Sequence, residues 1–504
     1  MPGPAPPVDH APADQPPVDL IRDAERFLRD GRAEDAIRAY SRALALRPDL
    51  PDAWFNLAWL QRTQRRFDDA LGSYAQALAR GAARPAEARL NRAAILSDHL
   101  FRTDEAVAEL EAALALDPRF VQAWLNLGVL HEDLGRADAA RAAYAAALRL
   151  DPGNGRAHAR LGAIELFAGR PAAAVDALKA ALPRAATLAD RAEMLFALGD
   201  ALDALAEYAD AFQAYEAANW LARQAAPARY DRGAHERLVD RIIRAFPEPS
   251  PPAPAPSMPG PRPVFVCGMF RSGSTLAERL LGRHPGVFAA GELEFVPALA
   301  HSALRPYPEA ARALPRARRA ELRARYLSEL AELRPTAPVV TDKRCDNFLH
   351  LGLIDALFPE APVVHTVRRP LDNVLSIHFL HFGDAVGYGH DLGDAAHHLV
   401  QCRRLMAHWR RLFPDRIHDL RYDRLVAEPR AALAPLLDFL GLPWDEACLA
   451  PSAADGPVRT ASAWAVRRPL HARSSGRWRN YAGRLDEARR ILEAAGVDPE
   501  GEDP

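Results

Sequence analysis

One arginine and three hydroxyl side chains sit inside a single short stretch, Val264-Phe-Val-Cys-Gly-Met-Phe-Arg-Ser-Gly-Ser-Thr-Leu276. The pattern predicts a buried strand over Val264–Cys267, a loop bracketed by Gly268 and Gly273, and a helix opening at Ser274 and Thr275. Such a turn aims backbone N–H groups and a helix N-terminus at one point, a site for an anionic ester. Gly268 and Gly273 have the spacing of a nucleoside-triphosphate loop, but Ser274 follows where that loop carries lysine. With Arg271 inside it, the loop suits a shorter anion, handled without metal and γ-phosphate machinery. A plain Gly/Ser turn is the weaker reading.

Two further stretches point the same way. In Val367-Arg-Arg-Pro-Leu-Asp-Asn-Val-Leu-Ser376, Arg368 stands at a strand end, Pro370 and Asp372 open a helix, and Ser376 pairs with Arg368 for a further phosphate. In Ser475-Gly-Arg-Trp-Arg-Asn-Tyr481, a glycine, two arginines and two aromatics offer anion contacts and a face for a stacked purine. Taken alone, that segment reads as a basic surface loop. His378 and His381 lack partners at metal-ligand spacing and read as helix-surface residues. Asp342 imitates the Mg²⁺-binding aspartate of P-loop kinases, which the missing loop lysine argues against.

Lysine is scarce. Of 64 basic residues only Lys179 and Lys343 are lysine, as a GC-rich coding bias would leave them. Lys179 falls on a repeat helix and reads as a solvated residue. Lys343, in Thr341-Asp-Lys-Arg344 at a strand end, offers a compact ammonium that a planar guanidinium does not reproduce.

These residues need a scaffold, and 504 residues predict two or three domains. A net charge of -2 excludes a chain-wide nucleic-acid footprint. The opening Met1-Pro-Gly-Pro lacks a basic segment followed by an apolar one, so no secretory signal is expected. No membrane span is expected either, because no apolar run reaches the necessary length. Four scattered cysteines supply neither a disulfide framework nor a zinc site, so no metal is expected and a cytoplasmic location fits.

The first half repeats. Gly135-Arg136 returns as Gly169-Arg170 and Asp117-Pro118 as Asp151-Pro152, each 34 residues on. Ala53-Trp-Phe-Asn-Leu-Ala58 returns as Ala123-Trp-Leu-Asn-Leu-Gly128. Paired alanine-rich amphipathic helices fill the intervals. The period resembles the tetratricopeptide repeat, about six units over 19–225, after a disordered tail at 1–18. Trp54, Tyr74, Trp124 and Tyr144 are expected in its core, and its groove is expected to bind a protein or peptide. Nothing in this half offers catalytic chemistry. A helix and a proline-rich linker cover 226–262, and 263–490 alternates strand and helix, which predicts a mostly parallel sheet with helices on both faces; 491–504 is a tail. Strands are expected at Val264–Cys267, Val339–Thr341, Val363–Val367 and Ile417–Tyr422.

With these motifs in order, residues 263–485 resemble a sulfotransferase domain, most similar to the protein-tyrosine sulfotransferase and tetratricopeptide-linked branch. The resemblance implies 3′-phosphoadenosine 5′-phosphosulfate as donor. It implies that Arg271, Ser272, Gly273, Ser274 and Thr275 hold the 5′-phosphosulfate, and that Arg368 and Ser376 hold the 3′-phosphate. It further implies that Tyr422 contacts the nucleotide and that Ser462, Arg477 and Trp478 close over it. Lys343 matches the catalytic lysine. Glu292, 21 residues after Arg271, matches the catalytic base, with Glu294 as the alternative. Phe270 stands in place of a proline, Ser274 of a threonine and Arg477 of a lysine, which leaves the acceptor entrance open. The expected activity is sulfuryl transfer to an acceptor hydroxyl, a peptide tyrosine first; a catalytically inactive nucleotide-binding scaffold is the alternative.

Overall fold

The computed structural model describes residues 15–100, 102–226, 229–249, 261–333, 337–450 and 474–501. Two compact units divide at Ile164 and Glu165.

The first unit is a stack of helical hairpins: α1 (Pro17–Arg29) and α2 (Ala33–Leu46), α3 (Pro51–Thr63) and α4 (Phe67–Ala79), α5 (Pro85–Asp98) and α6 (Thr103–Leu116), α7 (Val121–Asp133) and α8 (Ala137–Leu150), then α9 (Gly155–Phe167), inside which the division falls. The period is visible in the backbone. Gly31 and Arg65, and again Gly135 and Gly169, are left-handed residues closing the turn between paired helices. Arg65 adopts φ 60 without being glycine, a cost of about 1–2 kcal/mol that hairpin packing must offset. Tyr74 and Tyr144 are wholly buried, as expected, and Gly128 admits Tyr144 because a Cβ there would lie 2.5 Å from the ring. Trp54 and Trp124 are only half-buried; each indole N–H donates to the carbonyl six residues earlier, Pro48 or Pro118, at 2.9 Å.

The second unit opens with α10 (Pro171–Ala181), α11 (Leu188–Ala204) and α12 (Tyr208–Ala225), followed by α13 (Arg232–Ala245). Gly199 receives Tyr215 just as Gly128 receives Tyr144, with the hypothetical Cβ 2.6 Å from the ring. A sheet follows: β1 (Arg262–Gly268), β2 (Val287–Ala289), β3 (Val339–Lys343), β4 (Val363–Val367) and β5 (Ile417–Arg421). The order is β2-β3-β1-β4-β5 and every pairing is parallel. The strand β2 is one that the sequence reading did not anticipate.

Strand alternation sorts the core. Phe265, Cys267, Val340 and Val363 face one layer, with Tyr326, Phe358 and Trp409 packed there. Val264, Val266, Val339, Val364 and Leu420 face the other, against Ala277, Leu280 and Leu281 of α14 (Ser274–Gly282) and Leu433 and Leu436 of the helix Pro429–Phe439. By the same parity Thr341 and Lys343 point toward α14. The central β1 is flanked by β3 on one side and β4 on the other, so loops leave its carboxyl end in both directions, where open parallel sheets bind ligands.

Candidate active site

The turn after β1 is held from beneath. Ser272 is buried; its Oγ donates to Met269 O at 2.6 Å and lies 2.7 Å from Thr366 Oγ1 at the end of β4. Gly268 has φ 146, and a Cβ on it would come within 2.5 Å of Thr366 O, so glycine is required for β1 and β4 to approach. Gly273 has φ 102 and abuts Tyr422, whose ring would lie 2.6 Å from a Cβ. Ser274 opens α14, buried with its Oγ 3.4 Å from Cys345 Sγ, and Thr275 is half-buried one residue on.

Around this turn the structure gathers cations. Arg271 has φ 65, and its Nε donates to Ser376 Oγ at 3.2 Å on the helix Pro370–His378. Arg368 donates through Nη1 to Arg271 O at 3.1 Å and through Nη2 to Ser474 O, and lies 4.8 Å over the Tyr422 ring. It is 7 % exposed, and its Nε has no hydrogen-bond partner among the described residues. Burial pulls the Arg271 pKa down to about 10, and the Arg368 and Arg477 charges pull in the same direction. Three guanidinium groups this close repel one another, and an anion relieves that repulsion. Arg271, Arg368, Ser376 and Tyr422 are therefore brought together.

A second group forms at the end of β3. Lys343 is 1 % exposed, and its Nζ donates to Glu292 Oε1 at 2.6 Å, while the Glu292 side chain is 47 % exposed. Its backbone N–H donates to Gly291 O at 2.8 Å, which ties the glutamate loop to the strand. Beneath lies Glu278 of α14, buried, its Oε1 accepting from Thr341 Oγ1 at 2.8 Å and from Gly291 N at 3.0 Å. Burial works to lower the Lys343 pKa, but Glu278, Cys345 and Glu292 outweigh it and hold the pKa above its ordinary value, so the ammonium stays charged. Glu294 instead accepts from Arg344 at 2.5 Å, and Arg344 also donates to Asp346 at 3.0 Å. Asp342 faces the opposite layer, where Tyr326 OH donates to it at 2.8 Å and burial pushes its carboxyl up to about 7.

The late segment is anchored by carboxylates that the sequence did not single out for this role. Asp372 accepts from Gly476 N at 2.6 Å and Trp478 N at 2.9 Å, and Asp423 accepts from Ser475 Oγ. Trp478 is 5 % exposed with Arg479 and Arg489 over its ring, so its indole packs inward. Arg477 stands over Phe379 at 5.1 Å and pairs with Asp203 of α11. Ser462 lies outside the described residues. His378 is not on the helix surface: it is 4 % exposed and meets Asn219, while half-buried His381 stacks on Phe196. Only its helical periodicity, with Ile377 and Phe379 alongside, hinted at that burial.

Among the described residues, no group of His, Cys, Asp and Glu is arranged to hold a metal ion, and no helix is long and apolar enough to cross a membrane.

Comparison with known proteins places families on these parts. Residues 263–446 match the model of the sulfotransferase family, and residues 22–88 and 102–155 match that of the tetratricopeptide repeat. The chain thus carries a tetratricopeptide region and a sulfotransferase-family domain. Arg477 and Trp478 lie beyond the matched segment. A curated relative, an uncharacterised protein of Aquifex aeolicus (strain VF5), is 35 % identical over 317 residues, 60 % of this chain and 41 % of the relative. The chain therefore spans about two fifths of that relative's length. Among solved structures, the sulfotransferase domain of the Synechococcus PCC 7002 olefin synthase is 22 % identical, covering 49 % of this chain and 99 % of its own, with TM-score 0.35. The MamA protein is 23 % identical, covering 33 % of this chain and 91 % of its own, with TM-score 0.31.

Proposed function

We propose that this chain, with its sulfotransferase-family domain, moves the sulfuryl group of 3′-phosphoadenosine 5′-phosphosulfate to an acceptor hydroxyl, a peptide tyrosine being the first candidate. The observation that carries the reading is the meeting of Arg271, Arg368 and Ser376 at the mouth of the β1–α14 turn, with the Lys343–Glu292 pair at the end of the neighbouring strand. The first group suits the two phosphate ends of the donor; the second suits the transfer itself.

Sulfuryl transfer resembles phosphoryl transfer, with a loose in-line transition state in which positioning and electrostatics dominate. Glu292 takes the proton from the acceptor hydroxyl as its oxygen bonds to sulfur. The bond from sulfur to the bridging oxygen breaks, and the electron pair leaves with the 5′-phosphate, whose growing charge the Lys343 ammonium meets. Glu292 is half open to solvent, while Lys343 is nearly enclosed, which matches a base that meets an incoming acceptor and a cation that meets a buried leaving group. The tetratricopeptide region is proposed to bind a protein or peptide, and four buried free cysteines accord with a reducing cytosol.

Calorimetric titration with 3′-phosphoadenosine 5′-phosphate, and separately with ATP and magnesium, tests the donor. Magnesium-dependent ATP binding without binding of the adenosine bisphosphate overturns the reading. Labelled donor incubated with a cell lysate then locates the acceptor; donor binding with no transfer to any fraction would favour the inactive scaffold.

A further inference from the structure

The repeat half carries no catalytic motif in sequence, yet its last hairpin lies against the anion site. Tyr215 of α12 stacks on Phe379 at 3.8 Å and 11°, three residues beyond Ser376, and its hydroxyl donates to Asp200 of α11 at 2.6 Å. One helical turn along α11, on the same face, Asp203 grips Arg477: Nε to Oδ1 at 3.2 Å and Nη2 to Oδ2 at 2.9 Å. Tyr481 OH donates to the same carboxylate, and the Arg477 guanidinium lies over Phe379.

We infer that Asp203 is a positioning residue of the donor site, holding Arg477 so that its remaining donors face the anion bound by Arg271 and Arg368. This rests on the donor reading above. A two-point grip fixes the plane of a guanidinium, which a single contact does not. It occupies the Nε–Nη2 edge and leaves Nη1 for a ligand. It also offsets the repulsion of placing a third arginine near two others, a closeness reflected in the downward pull of Arg477 on the Arg271 pKa. The last repeat is thereby part of the enzyme's wall.

The test is calorimetry of the full chain with 3′-phosphoadenosine 5′-phosphate, at a temperature well below each variant's melting point. Asp203→Asn is expected to weaken binding about tenfold, on the order of 1.4 kcal/mol, and Asp203→Glu to restore most of it. In the Asp203→Asn, Arg477→Ala double variant the loss should equal that of Arg477→Ala alone. Arg477→Lys, which keeps charge but loses the fork, is expected to lose about fivefold and serves if Asp203→Asn does not fold. Wild-type affinity in Asp203→Asn or Arg477→Lys, or full additivity in the double variant, overturns the inference. Arg271→Ala and Arg368→Ala separate the two claims: wild-type binding in both sinks the donor reading itself, whereas losses there beside a normal Asp203→Asn sink only the role of Asp203.

Discussion

Lys343 Nζ and Glu292 Oε1 meet at 2.6 Å, an enclosed ammonium and a half-exposed carboxylate in direct contact. Side by side, each neutralises the other. Catalysis as proposed needs them apart, with the ammonium on the leaving oxygen and the carboxylate on the acceptor proton, so the donor must compete with Glu292 for Lys343.

Lys343→Arg keeps the charge but replaces a point donor with a planar fork in a site that is 1 % exposed. Turnover is expected to fall at least about tenfold, on the order of 1.4 kcal/mol, while binding of the adenosine bisphosphate persists. Single-turnover assays beside calorimetry check this; an unchanged rate would remove Lys343 from the chemistry.

Glu292→Gln should lose turnover and still bind donor, since shape is kept and the base removed. Glu294→Gln should retain it, because Glu294 is committed to Arg344 at 2.5 Å. Parallel rate measurements on the two variants decide between the glutamates, and a loss confined to Glu294→Gln would reverse the assignment.

Arg368→Ala is expected to weaken donor binding far more than turnover at saturating donor, since a phosphate remote from the reacting sulfur contributes uniform binding. The measurement is KM for donor against kcat. A fall confined to kcat would contradict it.

Gly273→Ala must place a methyl group 2.6 Å from the Tyr422 ring at a backbone φ of 102. Strain of about 1–2 kcal/mol from the backbone alone is expected, together with displaced Tyr422 and weakened nucleotide binding. Thermal melting and titration report the two effects separately.

Acid should loosen the seam at His378. Burial holds its pKa down at about 4, against an ordinary 6.5. The neutral ring donates from Nδ1 to Gly389 O at 3.3 Å and faces the Asn219 amide with Nε2 at 3.4 Å. Above 6.5 the ring is neutral whether folded or not; below it the unfolded chain takes the proton first, so stability falls as pH drops from 6.5 toward 4. The loss is about 1.4 kcal/mol per pH unit from this ring. Denaturation midpoints of wild type and His378→Asn across that range should diverge in slope; parallel slopes would mean that His378 titrates normally.

The local turn and its strand were legible because one short run of residues dictates them: a continuous apolar stretch, then glycines where Thr366 and Tyr422 press close. The placing of Arg368 and Ser376 on one strand–helix unit was legible for the same reason. The three-residue β2 gave no alternation long enough to read, and it owes its place to pairing with β3. The Asp203–Arg477 contact joins residues 274 apart in the chain, so no spacing rule reaches it. Trp478 looked like a stacking face by type alone; which way an indole turns is decided by packing.

The near absence of lysine has a practical side. Lys179 is exposed and Lys343 is enclosed. Apart from the chain's amino end, an acylating reagent therefore meets one ready side chain, and a dye placed there marks a single position on α10. Any slow second acylation has only Lys343 to go to, so its rate clocks how often the ammonium leaves its carboxylate.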